Sequence, residues 1–186
     1  MPIRLLFLAL IGAVVLTAAT PLMWLDPIVT DREATFDPAL LGVWSETGGR
    51  DLLIFRRNGD SAYTIAFVSD TIAFVSGSTV LKFEARLFRA GKARFLDVLP
   101  PAEPLRIPLH FLVRVWTEDG AFRSAFLDTD WFREKAAESL ALTAPAAAIR
   151  DLLAKYGADD RAHSDDIIRM ERVPLAQRSA ATVVYL

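Results

Sequence analysis

The residues best suited to chemistry are few. His163 stands in Asp159-Asp160-Arg161-Ala162-His163-Ser164-Asp165-Asp166, where four carboxylates and one imidazole share eight residues. Such a donor set suits a divalent cation. The spacing matches no EF-hand loop, however, and no glycine supplies its sharp turn, so a solvated acidic loop is expected. His110 sits in the apolar run Leu109-His110-Phe111-Leu112-Val113-Arg114 and shares a strand face with Leu112, Arg114 and Trp116. A hydrogen-bonded structural or surface histidine accounts for it. Asp128 and Asp130 bracket Thr129 just before a helical pattern. A carboxylate pair can do acid–base work, and helix capping by Asp128, Thr129 or Asp130 explains the same residues more simply. No serine occupies a Gly-x-Ser-x-Gly elbow, and the chain has no Cys, which removes thiolate catalysis, disulfides and Cys-ligated metals. Twenty-one Lys and Arg against 23 Asp and Glu give a net charge of −2, which argues against a nucleic-acid surface. No catalytic residue, metal or cofactor is expected from this set.

From Leu40 to Leu127 the chain runs in short alternating segments broken by turn residues, the pattern of an antiparallel meander. Asn58-Gly59 suits a type I′ turn joining Asp51–Arg57 to Ser61–Val68. Thr-Ile-Ala-Phe-Val-Ser occurs twice, at 64–69 and 71–76. A period of seven would turn the second copy over in one continuous strand. Two-residue turns at Ser69-Asp70 and Gly77-Ser78 remove the conflict and predict that Phe67 faces Ile72, Phe74 faces Leu81 and Ile72 faces Phe83. One face then gathers Tyr63, Phe67, Phe74 and Phe83, a set that could line an apolar ligand cavity or fill a closed core. The opposite face carries Lys82, Glu84 and Arg86. Prolines 100, 101, 104 and 108 mark an irregular crossing. Helical patterns come late: Asp130–Leu140, then Thr143–Gly157, with Thr143 as expected N-cap and an apolar stripe at Ile149, Leu152, Leu153 and Tyr156. Ile167–Val173 reads as a closing strand.

Arg4 is the only charge before Asp26. Leu5–Leu16 is apolar and Thr17-Ala18-Ala19 is small, the three parts of a secretory signal, with cleavage possible after Ala19. The uncharged stretch continues to Leu25, long enough for a retained membrane anchor through residues 5–25 with Trp24 at the interface. Both readings keep Arg4 inside and place the rest outside, in the periplasm or on the inner membrane facing it.

Gly42-Val43-Trp44 follows a proline-led turn, Asp37-Pro38-Ala39-Leu40-Leu41, and opens the first strand of the meander. This resembles the Gly-x-Trp start of lipocalin-like, calycin-type barrels. Thr129-Asp130-Trp131 is similar to that family's Thr-Asp-Tyr motif, with Trp in place of Tyr. The resemblance spans about residues 36–173. It implies a mostly β fold: an antiparallel meander closing into a small barrel or half-barrel. It also implies that Trp44 plugs the closed end, that Arg169 or Arg172 packs on it, and that a helix follows the barrel. The expected organisation is residues 1–25 as signal or anchor, 26–38 as linker, 39–175 as β domain with a capping helix at 143–157, and 176–186 as a tail. The expected role is a non-catalytic bacterial envelope protein, an accessory subunit docked on a membrane protein complex. The alternatives are a binder of a small apolar ligand and, least supported, an enzyme.

Overall fold

The computed structural model describes residues 22–46, 49, 51–69, 79–101, 107, 109–136 and 144–174. After a short strand β1 (Met23–Trp24), the described strands are β2 (Gly42–Glu46), β3 (Leu52–Asn58), β4 (Ala62–Ser69), β5 (Thr79–Ala90), β6 (Ala93–Leu99), β7 (His110–Glu118), β8 (Ala121–Phe126) and β9 (Ile168–Arg172). Neighbours from β2 to β8 pair antiparallel in sequence order, and β9 pairs with both β8 and β2. Eight strands thus close into an up-and-down antiparallel barrel, which leaves the ring no unpaired edge. β1 adds a ninth strand, pairing Met23 with Phe111 and Trp24 with His110 at the start of β7. Helix α1 (Thr129–Ala136) and helix α2 (Ala146–Tyr156) lie in the sequence between the seventh and eighth barrel strands, not after the barrel.

Strand alternation sorts the side chains as the sequence predicts. Tyr63, Ile65 and Phe67 of β4 and Phe83, Ala85 and Leu87 of β5 all enter the barrel core. Lys82 and Glu84 are exposed on the outside. The register differs from expectation. Phe67 pairs with Leu81, Ile65 with Phe83, and Ser69 with Thr79. The expected pairing of Phe67 with Ile72 is therefore corrected. β4 is bonded to β3 on one side and β5 on the other, so no edge is free for another strand. Phe74 and the Ser69-Asp70 and Gly77-Ser78 turns fall in 70–78, outside the described residues but for Ser69. The Asn58-Gly59 expectation also changes: Asn58 pairs with Ala62, leaving a three-residue loop in which Gly59 alone has positive φ, +65°. The two-residue turn with both φ positive is Asp119-Gly120, at +52° and +75°.

A second core lies on the barrel's outer surface. Phe88, Phe95 and Leu112 point outward from β5, β6 and β7 and pack with Ile149 and Leu153 of α2, Phe132 of α1, and Trp24, Ile28 and Val29. The α2 stripe behaves as read. Its N-cap is Pro145, not Thr143, and carries no side-chain cap. α2 approaches so closely that a Cβ on Gly91 (φ +57°) would meet the Ala154 carbonyl oxygen at 2.5 Å. The segment expected as a linker, 26–38, is packed: Arg86 binds Asp31 at 2.6 Å, and Arg150 binds both Glu33 and the Ile28 carbonyl. Trp24 is buried against β7, which corrects its expected place at a membrane interface. Among the described residues no helix is long and apolar enough to cross a membrane. Residues 1–21 and the tail 176–186 lie outside them.

Candidate binding site

Three hairpins and the segment Phe36–Leu41 sit at one end of the barrel. There Trp44 is 2% exposed. Its Nε1 donates to the Leu40 carbonyl at 2.9 Å, and the Arg172 guanidinium lies 4.6 Å over its ring. Arg172 also donates to the carbonyls of Leu41 (2.8 Å) and Ala39, stitching β9 to the 3-10 turn Pro38–Leu40. Of the two arginines named from the sequence, Arg172 fills the place; Arg169 pairs with Glu171. Gly42 has φ +128°, and a Cβ there would lie 2.9 Å from Arg172 Nη1. The backbone thus favours glycine, and a side chain here would also push on the guanidinium. Tyr63 completes the plug: its hydroxyl accepts from Asp37 N–H at 2.7 Å and donates to the Asp37 carbonyl at 3.1 Å. Its ring stacks on Phe36 at 5.0 Å. Burial raises the Tyr63 pKa above the ordinary phenol value.

Beyond this plug, the barrel interior holds a cavity of about 50 Å³. Eleven residues line it, ten of them apolar, from Leu53 and Phe55 of β3 round to Phe122 and Phe126 of β8. The rings of Phe83 and Phe111 meet at 90° with centroids 6.5 Å apart, and Phe111 meets Phe126 at 6.1 Å. Of the expected cavity residues, Phe83 lines it. Tyr63 and Phe67 are in the same core but off the cavity wall. The one polar lining residue, Ser124, is 6% exposed. Sequence reasoning passed it over, although the alternation Phe122, Ser124, Phe126 marks a lone hydroxyl on an inward apolar face.

The residues first weighed for chemistry lie outside the barrel and are not brought together. His110 is buried, with Nδ1 2.8 Å from Asp97 Oδ1, while Asp97 Oδ2 accepts the Ile28 N–H at 2.8 Å. Asp97 was not foreseen, because its partner is 13 residues away across a strand pair whose register the sequence does not print. Asp128, not Thr129 or Asp130, caps α1: its Oδ1 accepts from Trp131 N–H at 2.7 Å. Thr129-Asp130-Trp131 is the helix's first turn. His163 is not solvated as expected; it is buried, its ring tilted against Trp116 with centroids 5.7 Å apart, and its backbone bridges to Leu127. Asp159 caps the 3-10 turn Asp160–Ala162, and the Arg161 guanidinium hydrogen-bonded to it lowers its pKa to about 2. Burial lowers the Arg114 pKa. No group of three potential ligands able to hold a metal occurs among the described residues.

Fold and site together define a closed, plugged, eight-stranded antiparallel β-barrel with a small apolar interior cavity. No protein-family model, curated protein or solved structure matches the chain.

Proposed function

We propose that this is an exported, non-catalytic, lipocalin-like barrel that holds a small apolar ligand in its interior. The observation that carries the reading is the cavity itself: ten apolar lining residues and one serine, inside a barrel plugged at one end. Side chains normally fill barrels of this size, so retained space suits a guest. The Gly42, Trp44 and Arg172 arrangement supports kinship with lipocalin-type barrels, and fold kinship by itself carries no function. The accessory-subunit reading has less behind it. Among described residues the large apolar side chains in the open are Leu25 and Ile107, the latter 72% exposed. Isolated exposed apolar residues are ordinary surface.

Export by a cleaved signal fits better than a retained anchor. Leu22–Trp24 is folded onto the barrel, so Leu5–Pro21 is what remains to span. Seventeen residues make about 25 Å of helix, at the lower end of the roughly 17–25 residues that span a core of about 30 Å. Cleavage after Ala19 leaves the barrel's own residues intact.

The test is xenon binding to the purified protein, read by methyl NMR. Leu53, Ile65, Val98 and Val113 should shift together, and Val98→Phe, which fills the space, should abolish the effect while the barrel remains folded. Shifts scattered over the surface, or persisting in the filled variant, overturn the reading.

A further inference from the structure

The outer surface of the barrel carries an apolar patch away from the helices. Along β2, β3 and β4, Trp44, Leu53, Phe55, Ile65 and Phe67 enter the barrel core. Strand alternation turns Val43, Ile54, Ala66 and Val68 to the outside. They form a buried cluster of their own, in which Val43 and Ile54 are 0% exposed. The register lays them in rows. Val43, Ile54, Ala66 and Lys82 stand side by side on β2–β5, and Ser45, Leu52, Val68 and Val80 form the next row. Val173 extends the first row, its N–H bonded to the Val43 carbonyl at 2.9 Å.

The outer face of an antiparallel barrel ordinarily meets water. Zero exposure there requires a further layer above the sheet. Among the described residues, the apolar side chains packed on the cluster are Leu52, Val80 and Val173, all within its own rows. Both helices and Ile28–Val29 pack elsewhere, over β5–β7. The burial also has a direction. It is complete at Val43 and Ile54, nearest Val173, and fades toward β5, where Val80 is half-buried and Lys82 is exposed. Segment 70–78 joins β4 to β5, at the side where the burial fades.

The chain ends its ladder at Val173, because Pro174 has no N–H to donate. Residues 175–186 follow, with Arg178 as their single charge and Leu175, Val183, Val184 and Leu186 among their apolar side chains. From Val173 to Lys82 the row crosses four strand spacings, about 19 Å. Twelve extended residues reach about 40 Å, ample for the crossing.

We propose that the outer face of β2–β4 is a docking surface for the chain's own C-terminal segment, residues 175–186, which crosses Val43 and Ile54 as an apolar strap. The strap hides a patch that would otherwise invite a second copy. The proposal is independent of interior binding.

Methyl NMR of the full chain tests it. Nuclear Overhauser contacts should join methyls of residues 183–186 to those of Val43 or Ile54. In the full chain carrying Val183→Asp and Val184→Asp these contacts should be lost. A soluble paramagnetic agent should then broaden the Val43 and Ile54 methyls several-fold more than in the parent, while Leu96 and Val98 inside the barrel stay as they were. If Val43 and Ile54 keep their shifts and protection in the double variant, the strap does not lie there and the proposal falls. Contacts running from Ile72 or Val75 instead would assign the cover to segment 70–78, and contacts that vanish on dilution would assign it to a second copy; either result overturns the proposal.

Discussion

Truncating Trp44 to alanine should destabilise the barrel by about 4–5 kcal/mol. A buried Trp removes about 200 Å² from water, and at about 25 cal/mol per Å² that is about 5 kcal/mol. Residual burial in the unfolded chain reduces this to about 3–4.5 kcal/mol. The hydrogen bond from Nε1 to the Leu40 carbonyl adds about 1 kcal/mol. Losing the ring face under Arg172 adds a little more, although that guanidinium keeps its two carbonyl partners. The total agrees with other buried aromatics cut to alanine, about 3–5 kcal/mol. Urea unfolding followed by circular dichroism measures it, with an unchanged denaturant slope and a melting point lower by about 10–15 °C. Trp131→Ala is the control. That ring is half-buried on α1, with Lys135 and Arg161 5.8 and 6.0 Å from its centroid, and its loss should be clearly smaller. A Trp44→Ala cost under about 1 kcal/mol would refute the plug.

Two further outcomes are expected. Asp97→Ala strands the Ile28 N–H and the His110 imidazole on the outer face, so it should cost about 2–3 kcal/mol; the Ile28 amide should then exchange with solvent much faster than the amides of β3 and β4, and equal protection in the variant would show that Asp97 does not hold the N-terminal segment. Asp159 has a folded pKa of about 2, below the ordinary carboxylate value, so its contribution is present above about pH 4 and is lost as pH falls toward 2; Asp159→Asn should flatten this part of the stability profile, and an unchanged acid limb would remove Asp159 from the account.

What the sequence made legible follows from period and sterics. Alternation assigned the faces of β4 and β5 correctly even though the pairing was misjudged. Phe67 opposite Ile72 and Phe67 opposite Leu81 both keep the large side chains on one side, so parity survives an error in register. Gly-x-Trp was legible because part of its cause is local: Gly42 adopts φ +128°, which other residues rarely do, whereas the guanidinium above it comes from Arg172 on a distant strand and was narrowed only to two arginines. Trp24 misled for the opposite reason. An apolar run ending in Trp reads alike whether lipid or protein covers it, and here the outer face of β7 does. Asp97 and Ser124 were missed because each matters through a neighbour or a void that only closure of the barrel creates.

The two halves of the interior are built differently. At the plugged end, each buried polar group has a partner: Trp44 Nε1 has Leu40, the Tyr63 hydroxyl has both polar groups of Asp37's backbone, and Arg172 has two carbonyls. At the other end, Ser124 stands beside a space that a larger residue at 124 would fill. A phenylalanine there would continue the series Phe122, Phe126 and close the void with apolar area, at about 25 cal/mol per Å² in its favour. Stability alone favours that substitution, and the small residue kept on the wall fits the proposed guest.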